Sequence, residues 1–73
     1  MVKSYKLKNL GCANCAAKME HDINKLDGVN EARITFMTSK LKLDAEDARF
    51  EEILRQAQSI CTSYEQDCVI VTR

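Results

Sequence analysis

Apolar and polar residues alternate along this chain with two different periods, and the changes of period mark out six elements. Residues 2–8 alternate with period two, Tyr5 and Leu7 on one side and lysines on the other, as in a strand with one solvated face. Residues 9–12 form a loop. From Ala13 to Leu26 the spacing changes to three, four and three, through Ala16, Met19, Ile23 and Leu26, which is the stripe of an amphipathic helix. Asp27-Gly28 ends that helix, with Gly28 as a left-handed cap. Residues 29–36 read as a second strand, with Ala32, Ile34 and Phe36 facing one way and Arg33 and Thr35 the other. After a turn at Thr38-Ser39, residues 40–44 form a third strand with Leu41 and Leu43 inward. Asp44, Glu46 and Asp47 suit the N-terminal end of a second helix, where carboxylates meet free N–H groups. Its stripe is Phe50, Ile53, Leu54, Ala57, Ile60 and Cys61, and it runs to Ser59–Thr62. Residues 67–72 form the last strand.

The order is βαββαβ, with no linker, repeat or low-complexity segment, so residues 1–73 form one domain. Two amphipathic helices and four half-buried strands are best satisfied by a ferredoxin-like α+β two-layer sandwich, both helices covering one face of the sheet. Tracing the chain direction through that topology puts residues 61–67 at the same end of the domain as the first loop. The turn around Met37 shares that end at a greater distance.

Composition narrows the function classes. With 45% hydrophobic and 30% charged residues the chain is globular rather than disordered. Eleven acids balance eleven Lys and Arg, which argues against nucleic acid and against general electrostatic attachment to anionic lipid. No apolar run approaches the length of a membrane span, and Val2–Lys8 is too interrupted by lysines for a signal peptide. The four cysteines, Cys12, Cys15, Cys61 and Cys68, do not read as a disulfide scaffold. Two glycines, no proline and long periodic helices fit a reduced, cytoplasmic protein better.

The chemistry lies in Leu10-Gly11-Cys12-Ala13-Asn14-Cys15-Ala16-Ala17. This C-x-x-C stands where a strand gives way to a helix, whose free N–H groups and dipole lower thiol pKa values. Such a pair binds a soft metal ion or performs dithiol–disulfide exchange. The exchange reading expects a longer, thioredoxin-like chain with a central parallel sheet, and no Trp or Pro brackets the motif. Thiolates select copper(I), zinc, cadmium or mercury over magnesium and calcium. Ligand number then decides among them. Two sulfurs satisfy copper(I), whereas zinc takes four ligands and cadmium favours more than two. Cys61, Tyr64, Glu65 and Asp67 are the nearest reserve. If Cys61 turns toward the loop, three sulfurs, completed by Glu65 or water, favour zinc or cadmium. If Cys61 packs on the helix stripe, as free cysteines often do, copper(I) becomes credible.

The other candidates read as structural. Cys68 shares a strand face with Ile70, and Met19 follows the core stripe. His21 sits nearly two turns beyond Cys15, as a surface residue. Tyr64 either packs over the metal loop or caps the helix end. Glu46, Asp47, Glu51 and Glu52 form a solvated helix start, with docking to another domain as the second reading.

Over nearly its whole length the chain resembles the heavy-metal-associated domain of metallochaperones, mercury-binding proteins and metal-transporting P-type ATPases. The likeness rests on Asn9-Leu10-Gly11-Cys12-Ala13-Asn14-Cys15 and on Leu26-Asp27-Gly28-Val29. It implies that Cys12 and Cys15 are the ligands and that Leu10, in place of the family methionine, supports the loop together with Gly11. Asn9 stands where the family usually has glycine. More narrowly, Cys12-Ala13-Asn14-Cys15-Ala16-Ala17-Lys18 resembles the amino-terminal domain of zinc- and cadmium-exporting ATPases, in which an aspartate often precedes the first cysteine; here that residue is Gly11. The resemblance implies a non-catalytic, monomeric domain that binds zinc or cadmium (copper(I) in the alternative). It would belong to a longer pump at the cytosolic face of a membrane, with the pump's other domains or a metal-transfer protein as partners. A free-standing copper(I) chaperone is the first rival and a small dithiol oxidoreductase the second.

Overall fold

The computed structural model describes residues 1–72. Four strands and two helices follow in the expected order: β1 (Val2–Lys8), α1 (Ala13–Asn24), β2 (Val29–Thr35), β3 (Lys40–Ala45), α2 (Phe50–Tyr64) and β4 (Val69–Val71), with a short 3₁₀ turn at Asp47–Arg49 before α2. The strands form one antiparallel sheet in the order β2-β3-β1-β4. Both helices lie on one face of it, so the molecule is the ferredoxin-like sandwich that the sequence predicts. Met19 and Ile23 of α1, Ile53 and Ala57 of α2, and Leu41 and Leu43 of β3 are fully buried between the two layers. Each of the larger side chains contributes about 1.5–3 kcal/mol by leaving water, against a net stability for a small domain of only about 5–15 kcal/mol.

The differences from the sequence reading lie at element ends. The expected helix to Leu26 stops at Asn24, and Leu26 is half-buried in the turn that follows. Phe36, expected to face inward on β2, lies beyond the strand and is exposed, because the 36–39 turn, with Ser39 at φ 52°, lifts it out of the ladder. Asp44 lies in β3, opposite Val2 and Glu31, as the expected strand over 40–44 has it, and so takes no part in the start of the second helix. Asp47 opens the 3₁₀ turn, where it pairs with the terminal amine of Met1 at 2.8 Å. The second helix runs on to Tyr64, and the last strand shortens to Val69–Val71.

Both outer strands have their free backbone edges closed by a side-chain amide. Asn24, the last residue of α1, accepts from the Ala32 N–H and donates to the Ala32 carbonyl, both at 2.8 Å. Glu20, one turn earlier, accepts from the Ile34 N–H at 2.7 Å. On the opposite edge Gln58 of α2 donates to the Cys68 carbonyl at 2.9 Å and accepts from the Ile70 N–H at 2.7 Å. Each amide copies the donor–acceptor pair of a neighbouring strand. The edges that would otherwise recruit a strand from another chain are thereby capped.

Cys61 and Cys68 are neighbours in the core, 0% and 1% exposed. Burial pushes the Cys61 thiol from its ordinary 9.0 up to about 12, and the nearby Cys68 sulfur adds to the rise. Gly28 is the one glycine with positive φ, at 94°, and a β-carbon there would sit 2.9 Å from Ile53 Cδ1.

Three outcomes follow. Gly28→Ala destabilises the domain by about 1–3 kcal/mol in urea unfolding, from backbone strain and the clash with Ile53. Gln58→Ala costs about 1–3 kcal/mol, since it leaves the part-buried Cys68 carbonyl and Ile70 N–H without their partner. The third concerns pH. A thiol whose pKa is higher folded than unfolded adds stability below its unfolded value and loses it as pH rises toward the folded one. Between pH 9 and about 12 the stability therefore falls with pH. The same titration on Cys61→Ala gives a shallower fall.

Candidate metal centre

The first loop enters the site through Asn9, whose backbone takes the left-handed conformation at φ 62°. Asparagine tolerates that region better than most residues, which explains how it can stand where glycine is usual. Its side chain is also used: Nδ2 donates to the Asp67 carbonyl at 3.0 Å and ties the first loop to the α2–β4 turn. Leu10 is half-buried against the core, and Gly11 is exposed.

Cys12 is the N-cap of α1. Its Sγ accepts from the Cys15 N–H at 3.3 Å, the place that a serine or aspartate oxygen takes in an ordinary cap. Hydrogen bonds from the Cys15 thiol and then from the Cys15 N–H hold the Cys12 thiol below its ordinary pKa. The Cys15 thiol is raised instead, chiefly by that shared thiol hydrogen bond and then by desolvation. The helix start therefore does not lower both thiols, as its dipole alone suggests. The pair divides the effect, with Cys12 as the readier thiolate.

The third group comes from the far end of the chain. Glu65 follows the last turn of α2 in extended conformation, and its N–H donates to the Cys61 carbonyl at 2.9 Å. Its carboxylate accepts from the Gly11 N–H at 2.9 Å. One sulfur from each of Cys12 and Cys15 and one Glu65 oxygen all lie within 4.8 Å of one another, each residue half-buried. Bonds of about 2.3 Å at tetrahedral angles hold two sulfurs about 3.8 Å apart around zinc, so a small contraction of this triangle suffices to enclose an ion. Two soft donors and one hard donor suit a soft or borderline cation.

The remaining candidates lie elsewhere. Cys61, held in reserve as a third sulfur, points into the core beside Cys68, because the same helix stripe that buries Ile53 and Ala57 buries it. Tyr64 turns its hydroxyl to Asp22 of α1, to which it donates; that hydrogen bond raises its pKa, followed by desolvation and the charge of Asp22, with a last contribution from nearby Cys15. Asp67 offers its carbonyl to Asn9, and its carboxylate is not among the clustered groups. Met19 is fully buried, Met37 is 91% exposed, and His21 is on the surface. The sequence reading missed the two clasps between the loops, from Gly11 to Glu65 and from Asn9 to Asp67. The signal for the second was an asparagine at a position that needs positive φ.

Comparisons with known proteins agree with this geometry. Residues 4–65 match the model of the heavy-metal-associated domain. The chain is 48% identical over 52 residues to a cadmium, zinc and cobalt-transporting ATPase of Helicobacter pylori (strain ATCC 700392 / 26695), a match covering 71% of this chain and 7% of that protein. It is 39% identical over 57 residues to a zinc/cadmium/lead-transporting P-type ATPase of Escherichia coli (strain K12), covering 74% of this chain and 8% of that one. The chain thus spans less than a tenth of the length of these relatives. Among solved structures, the N-terminal domain of ZntA in its Zn(II) form superposes with a TM-score of 0.70 at 30% identity, covering 94% of this chain and 86% of that one. The CopZ metallochaperone superposes at 0.74 with 17% identity, covering 97% and 100%, which speaks to the fold. By sequence, by fold and by its paired cysteines at the mouth of α1, this chain belongs to the heavy-metal-associated domain family.

Proposed function

We propose that this domain captures zinc or cadmium through Cys12, Cys15 and Glu65 for a metal-transporting P-type ATPase, to which it passes the ion or whose activity its loading controls. The observation that carries this reading is the Glu65 carboxylate beside the two sulfurs. A hard oxygen adds nothing for copper(I), which two thiolates satisfy, but it meets the demand of zinc and cadmium for more ligands. The related transporters support the same class of cargo. The domain does no chemistry of its own on this reading. ATP hydrolysis belongs to other parts of a pump at the cytosolic face of a membrane. Water or a donor from the receiving protein completes the ligand set, so a partner can attack the ion and take it.

Glu65 also stands in for a residue that is missing. Gly11 occupies the position at which zinc and cadmium exporters often carry an aspartate. A β-carbon there meets only Glu65 Oε1, at 4.0 Å, so the site has room for a side chain. The inward position of Cys61 leaves two sulfurs, and that observation supports the copper(I) chaperone as the second reading.

Competitive titration of the reduced domain with cadmium, zinc and copper(I) separates the two. Glu65→Gln weakens cadmium and zinc by at least about tenfold, the scale of lost ligand-sphere contacts, and leaves copper(I) unchanged. Gly11→Asp placed in the Glu65→Gln protein restores much of the cadmium affinity. Tight binding of copper(I) alone, with Glu65→Gln silent, overturns the zinc/cadmium reading. Metal affinity falls as pH is lowered, because protons compete for the thiolates. Proton release measured on cadmium addition checks this directly.

A further inference from the structure

The face of the sheet turned away from the helices carries an unbalanced charge that the neutral total conceals. Register puts the side chains of Lys6 and Lys8 on that face of β1, Lys40 and Lys42 on β3, and Arg33 on β2. All five are exposed. Lys6 stands directly opposite Lys40, and Arg33 directly opposite Lys42. Like charges facing each other across a ladder are destabilising. Among the described residues none of the five forms an ion pair; the pairs that exist join Met1, Arg49 and their acidic partners elsewhere. Among the described residues Glu31 and Asp44 form the one acidic row of this face, at the end away from the metal loop. The other acids lie on the helices and turns.

We infer that this face docks on an anionic phospholipid surface. Three features select that occupant. The face holds no aromatic ring among Val2, Ser4, Thr35, Val69, Val71 and the charged residues, so it lacks the stacking platform of sheets that bind single-stranded nucleic acid. Four of the five cations are lysines, which protein interfaces disfavour at their cores, where aromatic residues and arginine dominate. A flat grid of point charges, with strands about 4.8 Å apart, matches a broad layer of head groups better than a shaped pocket. A lysine near such a surface gains roughly fivefold in partition. The acidic helical side turns outward in this pose. The Cys12–Cys15 loop lies at one end of the sheet and not under it, so docking leaves the thiols free.

The inference rests on the reading that the domain serves a membrane pump, yet its test uses no metal. Co-sedimentation is measured with vesicles of phosphatidylcholine alone and of phosphatidylcholine with phosphatidylserine, at low and at physiological salt. Binding to the mixed vesicles only, weakened by salt, is expected. Lys6→Gln combined with Lys42→Gln lowers the partition coefficient by roughly 25-fold, while cadmium titration of the same variant is unchanged. Equal binding to both vesicles, or none to either, overturns the inference. Binding to soluble polyglutamate without binding to vesicles also overturns it, in favour of an acidic protein partner. Loss of cadmium binding in the unmodified domain would sink the pump reading and leave the vesicle result standing.

Discussion

All the apolar burial of this domain lies on one side of one sheet. Two helices of twelve and fifteen residues must cover four strands, and among the described residues nothing covers the reverse. Much else follows from that asymmetry. The helices reach the outer strands only with their flanks, so side-chain amides at Asn24 and Gln58 complete the ladders that no fifth strand completes. The uncovered face is free of packing demands and can hold a charge pattern that a buried face could not. Chemistry is left to the ends of the sandwich, where chain reversals expose backbone donors.

The sequence made the architecture legible because period and polarity agree in nearly every element. Leu41 and Leu43, or Met19 and Ile23, fit one side only. Where the reading failed, the deciding interaction was not periodic. Phe36 has the parity of an inward residue, but the turn that follows removes it from the strand. Asp44 fits two places in the sequence, the end of the third strand and the start of the second helix, and ladder pairing with Val2 and Glu31 decides for the strand. The amide clamps are invisible to pattern reading, since an exposed-looking Asn or Gln on a helix gives no sign of the strand edge beside it.

The site was half legible. Cys12 and Cys15 declare themselves by spacing and by their place at a helix start. Glu65 was placed at the right end of the domain by following chain direction, but only side-chain geometry could rank it above Cys61. The stripe of α2 explains why. Cys61 repeats at helical spacing from Ile53 and Ala57 and shares their fate, whereas Glu65 has just left the helix and is free to turn back over the loop.

The contact between Gly11 and Glu65 joins residues 54 positions apart. A ribosome therefore delivers the two thiols long before it delivers the carboxylate. During synthesis the nascent chain exposes a bare dithiol that any soft cation or oxidant can reach, and the mixed sulfur–oxygen cluster exists only once α2 is complete and packed. The ordering of residues along the chain thus withholds the finished donor set until the fold that shapes it is in place.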